Sequence, residues 1–241
     1  MTSLCTRMAG RWMIGVAAAL LSPLSLASLP PEDAPDWSLR KTEGNIRVYT
    51  IEQPDSSFKA FKAIALMDVP LENLMAVMVD PTSCMSWVHG CTEAYGLEGG
   101  SFQDRYAYSI NDMPWPVTDR DYVLHITTAG SESRGEVIME LNAVPDYREP
   151  DDDLVRVDRS DTRYRFVAEG DQTRMIWLQH TDPNGSLPGW LVNNLLVDIP
   201  VKSLQSLEQL ATEPRYANHR LQFDADGQLT GVATVQSGDD E

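Results

Sequence analysis

The 241-residue chain sets 19 lysines and arginines against 36 aspartates and glutamates, a formal charge of −17 at pH 7. That balance excludes nucleic acid as a partner, because phosphate binding needs a basic surface, and it argues against firm attachment to anionic membranes. The length suits one domain with a substantial core.

The first 27 residues read as a secretory leader. Arg7 and Arg11 supply a positive start, Trp12 to Leu21 an apolar stretch, and Ser25-Leu26-Ala27 the small residues a signal peptidase reads. A retained membrane anchor is the alternative, but the run is short for a span and Pro23 interrupts its continuation. Cleavage after Ala27 would leave 214 residues and shift the charge to −19, since two arginines and no acids depart. The mature protein is then expected in a periplasm or outside the cell. Residues 28–36, proline-rich and acidic, read as a linker, with the domain spanning 37–211.

Strands are expected at 46–51 and 58–67, separated by the turn Gln53-Pro54-Asp55-Ser56. A helix comes next, with Pro70 in its first turn and Leu71, Leu74, Met75 and Met78 at helical spacing, ended by Asp80-Pro81. Strand patterns then dominate. Phe102, Tyr106, Tyr108 and Ile110 share one face, as do Tyr122, Leu124 and Ile126. Val137, Met139, Leu141 and Ala143 alternate with polar neighbours, and further strands run through 164–168 and 172–180. Short connections between them imply an antiparallel meander. After the turn 182–186, where Asn184 or Ser186 can cap, Leu187 to about Leu210 reads as a helix apolar on nearly every side, which belongs in an interior. Pro200 should bend or divide it. Residues 212–241 are polar and acidic and read as a disordered tail, with at most a weak hairpin at Asp226-Gly227.

Few residues offer chemistry. His89, His125, His180 and His219 stand at no metal-binding spacing, and no nucleophile elbow, phosphate loop or dinucleotide fingerprint occurs. No metal or cofactor is expected. Cys84 and Cys91, an even pair in an oxidising compartment, form either one short-loop disulfide or two buried thiols. His125 is a general base in a cleft or a hydrogen-bonded structural histidine. Arg120, between Asp119 and Asp121, either locks a loop or faces the polar end of a ligand. Trp87, Trp115, Trp177 and Trp190 belong to core packing or to the wall of a cavity between a sheet and a long apolar helix.

Three segments carry a family resemblance: 80–88 (Asp-Pro-Thr-Ser-Cys-Met-Ser-Trp-Val), 115–121 (Trp-Pro-Val-Thr-Asp-Arg-Asp) and 185–193 (Gly-Ser-Leu-Pro-Gly-Trp-Leu-Val-Asn). Together they resemble bacterial START-domain proteins of the helix-grip superfamily, which also includes polyketide cyclases and plant allergen-type carriers. The resemblance implies an α+β fold in which a curved antiparallel sheet wraps around a long C-terminal helix. It also implies a tunnel between sheet and helix for a lipid or similar hydrophobic ligand, gated by that helix. Trp87, Tyr108, Trp115, Arg120, Met139, Trp177, Trp190 and Asn194 are the expected ligand contacts. The leading expectation is a monomeric binding and transfer protein that visits membranes transiently. The alternative is a cyclase-, aromatase- or hydrolase-like enzyme in the same cavity, for which only His125, Asp121 and Arg120 offer titratable or charged groups.

Overall fold

The computed structural model describes residues 29–185, 187 and 189–235. The leader assigned to 1–27 and the cap assigned to Ser186 lie outside these residues. Alternating side chains build the strands β1 (Ser38–Glu43), β2 (Ile46–Ile51), β3 (Ala60–Met67), β4 (Cys91–Gly100), β5 (Asp104–Asn111), β6 (Arg120–Ser131), β7 (Glu136–Ala143), β8 (Val155–Arg156), β9 (Arg159–Glu169) and β10 (Gln172–Asp182). They form one sheet in the order β1-β2-β3-β10-β9-β7-β6-β5-β4, antiparallel throughout except that β8 pairs in parallel with β6.

Nine strands at about 4.8 Å spacing span on the order of 40 Å, far more than one helix of about 10–12 Å diameter can cover. The sheet therefore curls, and its concave face is covered in two parts. Helix α3 (Gly189–Ala211) follows β10 and lies against the β1–β3 side. The other part is covered by the connection from β3 to β4, which must cross the face because β4 is the far edge. It carries α1 (Leu71–Val79) and the single turn α2 (Cys84–Trp87).

α1 begins after Pro70 and buries Leu71, Leu74, Met75, Ala76 and Val77. α3 buries Val192, Val201, Leu204, Leu207 and Leu210, each worth roughly 1.5–3 kcal/mol against exposure. It is not apolar all round in its surroundings: Trp190, Asn194, Asp198, Lys202, Gln205 and Gln209 form an exposed stripe. Nor does Pro200 divide it; the helix runs through for 23 residues.

Two terminal readings are corrected. The segment before Trp37 is docked rather than a free linker: the Arg165 guanidinium donates to both Glu32 carboxylate oxygens, and Lys62 Nζ donates to the Glu32 carbonyl at 2.6 Å. Residues 212–235 are not a disordered tail. They form the hairpin β11 (His219–Phe223) and β12 (Leu229–Thr234), which rests on α1. Leu229 and Tyr216 are buried, and the Tyr216 hydroxyl donates to Asp80 at 2.7 Å. The apolar residues that anchor the hairpin are single ones among many charges, so composition hides them. Residues 236–241 lie outside the described part.

Candidate functional site

A cavity of about 260 Å³ lies on the concave face. Its floor is set by strand register. Residues directly paired across an antiparallel sheet share a face, so Arg105, Ile126, Leu141, Thr162 and Gln179 form one row across β5, β6, β7, β9 and β10. Thr128, Met139, Tyr164 and Trp177 form the next row, and Ala107 with Leu124 and Ser109 with Tyr122 continue the face. All of these residues except Thr128 line the cavity.

The roof is the end of α1, residues 80–83 and α2. It is fastened on several sides. Cys84 is disulfide-bonded to Cys91 at the start of β4, with Cα atoms 6.1 Å apart. The buried Ser83 hydroxyl donates to the Val77 carbonyl at 2.8 Å, and the His89 amide donates to the buried Ser203 hydroxyl on α3 at 2.9 Å. Among the described residues, none of α3 lines the void. The expected tunnel between sheet and C-terminal helix is therefore displaced by one layer: α3 packs down on β1–β3, and the gap is left under the crossover.

Trp87 hangs from this roof into an aromatic cluster. Its ring centroid is 5.9 Å from Trp177 and 6.1 Å from Tyr164, and Trp177 also meets Tyr164 at 5.4 Å and Phe61 at 5.2 Å, all near edge-to-face. That is the preferred geometry for aromatic pairs. The polar groups on the floor are mostly neutral. Burial pushes the Tyr122 hydroxyl up to about 12 and raises that of Tyr164 as well, so both remain uncharged at physiological pH. The indole N–H of Trp177 donates to Gln179 at 3.0 Å. Among the described residues, no group of three or more His, Cys, Asp or Glu side chains is placed to hold a metal.

The structure divides the expected contacts. Trp87, Met139 and Trp177 are brought together around the cavity, all buried. Tyr108 borders it, but register with Val123 places its side chain on the convex face, beneath the Arg148 guanidinium at 4.2 Å from the ring. Burial, followed by the neighbouring Asp121 carboxylate, pushes the Tyr108 hydroxyl up to about 12. Trp115, 93% exposed, and Trp190, 68% exposed, stand in solvent with Asn194 on the exposed stripe of α3. These three are exposed and are not among the residues that line the cavity.

Arg120 is buried but structural. It donates to the carbonyls of Pro183 at 3.1 Å, Asn184 at 3.0 Å and Thr118, so it fixes the turn that launches α3. Asn184 there adopts φ +56°, a left-handed conformation that asparagine tolerates. Asp121 points the other way, fully buried against Arg156 at 2.8 and 3.0 Å. His125 lies on the convex face, 3.0 Å from Asp104 and stacked on Tyr106. The three groups nominated for enzymatic chemistry are thus dispersed outside the cavity lining. Two charged residues do line it, Asp80 in the roof and Arg105 on the floor, and Arg105 was missed by sequence reasoning. Its signal was position: it alternates in phase with Ala107 and Ser109, the face opposite the aromatic one.

Residues 24–210 match the START domain. The chain belongs to the START-domain family. It is 34% identical over 181 residues to an uncharacterised protein of Pseudomonas aeruginosa, covering 74% of this chain and 88% of that one. The crystal structure of a STAR-related lipid transfer protein fragment from Xanthomonas axonopodis is similar, with 27% identity, a TM-score of 0.69, and coverage of 74% of this chain and 99% of that one. Human StAR-related lipid transfer protein 5 shares the fold at 13% identity and a TM-score of 0.68, over 75% of this chain and 88% of that one. The curved antiparallel sheet with a C-terminal helix is the START helix-grip fold.

Proposed function

We propose that this START-family protein is an exported monomeric carrier that encloses a lipid or similar hydrophobic ligand and passes it between membranes without altering it. The observation that carries this reading is the cavity itself, walled by Trp87, Met139, Leu141, Tyr164 and Trp177 beneath a fastened roof. An apolar guest gains about 25 cal/mol for each Å² removed from water, so retention needs no reacting group. The family supports a lipid-binding role, and the Xanthomonas relative is described as a lipid transfer protein. The Cys84–Cys91 bond supports an oxidising compartment, and N-terminal sequencing of the mature protein should begin at Ser28. Native mass spectrometry of protein purified from its own compartment should show a retained amphiphile. Protein that is ligand-free and inactive in vesicle-to-vesicle transfer would sink the carrier reading.

Membrane contact is assigned to Trp115 and Trp190. Arg120 ties the loop of one to the turn preceding the helix of the other, and both indoles are exposed. Indoles favour the bilayer interface. Withdrawing even about 60 Å² of indole from water gives roughly 1.5 kcal/mol, a tenfold effect. The double variant Trp115→Ala/Trp190→Ala is expected to slow transfer between neutral vesicles by at least about tenfold, while its thermal midpoint stays within about 2 °C of wild type. Unchanged transfer kinetics would reject the two indoles as the membrane contact.

A further inference from the structure

We propose that the cavity is built for a single-chain amphiphile with an anionic oxygen head, and that Arg105 holds that head. This rests on the carrier reading and narrows it to a ligand class.

Arg105 borders the cavity in the same row as Ile126, Leu141, Thr162 and Gln179. Its guanidinium is held in place by one nitrogen: Nη1 donates to the Phe102 carbonyl at 2.6 Å and to the Thr128 hydroxyl at 3.0 Å. The other terminal nitrogen, Nη2, is sealed from solvent and has no partner among the described residues. Among the described residues, no carboxylate is paired with the guanidinium. Asp104, its sequence neighbour, turns to the convex face and meets His125. Asp80, the carboxylate in the cavity wall, already accepts from the hydroxyls of Tyr216 and Thr82.

Burial lowers the Arg105 pKa, yet arginine does not give up its proton in proteins. The cost of a partly buried cation with one unpartnered nitrogen is therefore relieved by an acceptor from outside the chain. An ionised oxygen does this better than a hydroxyl, because charge-assisted bonds to guanidinium are roughly twice as strong as neutral ones and admit a two-pronged geometry. The remaining wall is apolar or neutral and suits a hydrocarbon chain. A cavity of about 150 Å³ accommodates benzene; by proportion, about 260 Å³ accommodates on the order of ten carbons. Carboxylates and phosphate monoesters share the required head chemistry.

The test is calorimetric titration of the delipidated mature protein with four ten-carbon probes: decanoate, decyl phosphate, decan-1-ol and decyltrimethylammonium. The expected result is that at least one of the two anions binds about tenfold or more tightly than the alcohol, with the cation weakest; the better anion then identifies the head. Arg105→Met is expected to erase that preference while leaving decan-1-ol affinity within about twofold. If Arg105→Met fails to fold, Arg105→Lys must retain a reduced preference. Decan-1-ol binding as tightly as both anions, or a preference that survives in Arg105→Met, overturns the assignment while leaving the carrier reading intact. Binding of none of the four overturns both.

Discussion

Asp121→Ala is expected to destabilise the protein by about 3–5 kcal/mol, the usual cost of removing one partner of a buried ion pair. Asp121 is fully buried and Arg156 nearly so, joined at 2.8 and 3.0 Å. The same guanidinium donates to the carbonyls of Pro145 at 2.6 Å and Arg148 at 2.8 Å, so it fastens the 145–149 loop over the convex face. Without the carboxylate it remains a buried, uncompensated charge. For a domain of this size the midpoint should fall on the order of 10 °C. Asp121→Leu with Arg156→Met removes both charges and should recover part of the loss. Ligand affinity per folded molecule should not change, because the pair lies across the sheet from the cavity. Chemical unfolding of the two variants decides it: a single variant within about 1 kcal/mol of wild type, or a double variant no better than the single, rejects the clamp.

How much of this was legible depended on burial. The strand through Val137 to Ala143 announces itself by alternation, since one face is core and the other is mostly polar. In β3 the apolar alternation through Ala60, Ile64 and Leu66 marks the face opposite the core row Phe61, Ala63, Ala65 and Met67, because both faces are largely apolar. β1 and β4 do not announce themselves. Both are the edges of the sheet, where half the backbone groups face solvent and little apolar pattern is needed; Cys91–Gly100 holds three glycines and two glutamates. The single turn α2 is too short to carry a period. For the site, Trp87, Met139 and Trp177 were readable as apolar side chains bound to be buried. Tyr108 was misplaced for a physical reason: both faces of β5 are covered, one by the roof and one by the 145–149 loop, so aromatic character does not say which is inward. The same ambiguity concealed Arg105. Trp115 and Trp190 misled in the opposite sense, because large apolar residues predict burial unless a second medium, such as a bilayer, is their partner.

Ala107→Trp is expected to abolish ligand retention, lowering affinity about a hundredfold or more, without unfolding the protein. Ala107 sits on β5 between Gly96 of β4 and Leu124 of β6, on the concave face and in the cavity wall. An indole is larger than the benzene that about 150 Å³ accommodates, so it takes up more than half of the 260 Å³ available. Growth into a void avoids most of the roughly 1–3 kcal/mol penalty of overpacking, and the new ring gains contacts with the Trp87–Tyr164–Trp177 cluster or its rim. The midpoint should therefore move by only a few degrees, in either direction. Loss of affinity at retained stability separates a binding cavity from a packing defect. If the variant retained its ligand and transferred it at the wild-type rate, the guest would have to lie elsewhere, and α3 with the β1–β3 side would be the surface to examine next. The same variant also discriminates Arg105's role, because it empties the cavity of guests while leaving the Nη1 bonds to Phe102 and Thr128 untouched. Anion affinity that outlived the filled cavity would place the anion on the outer surface instead.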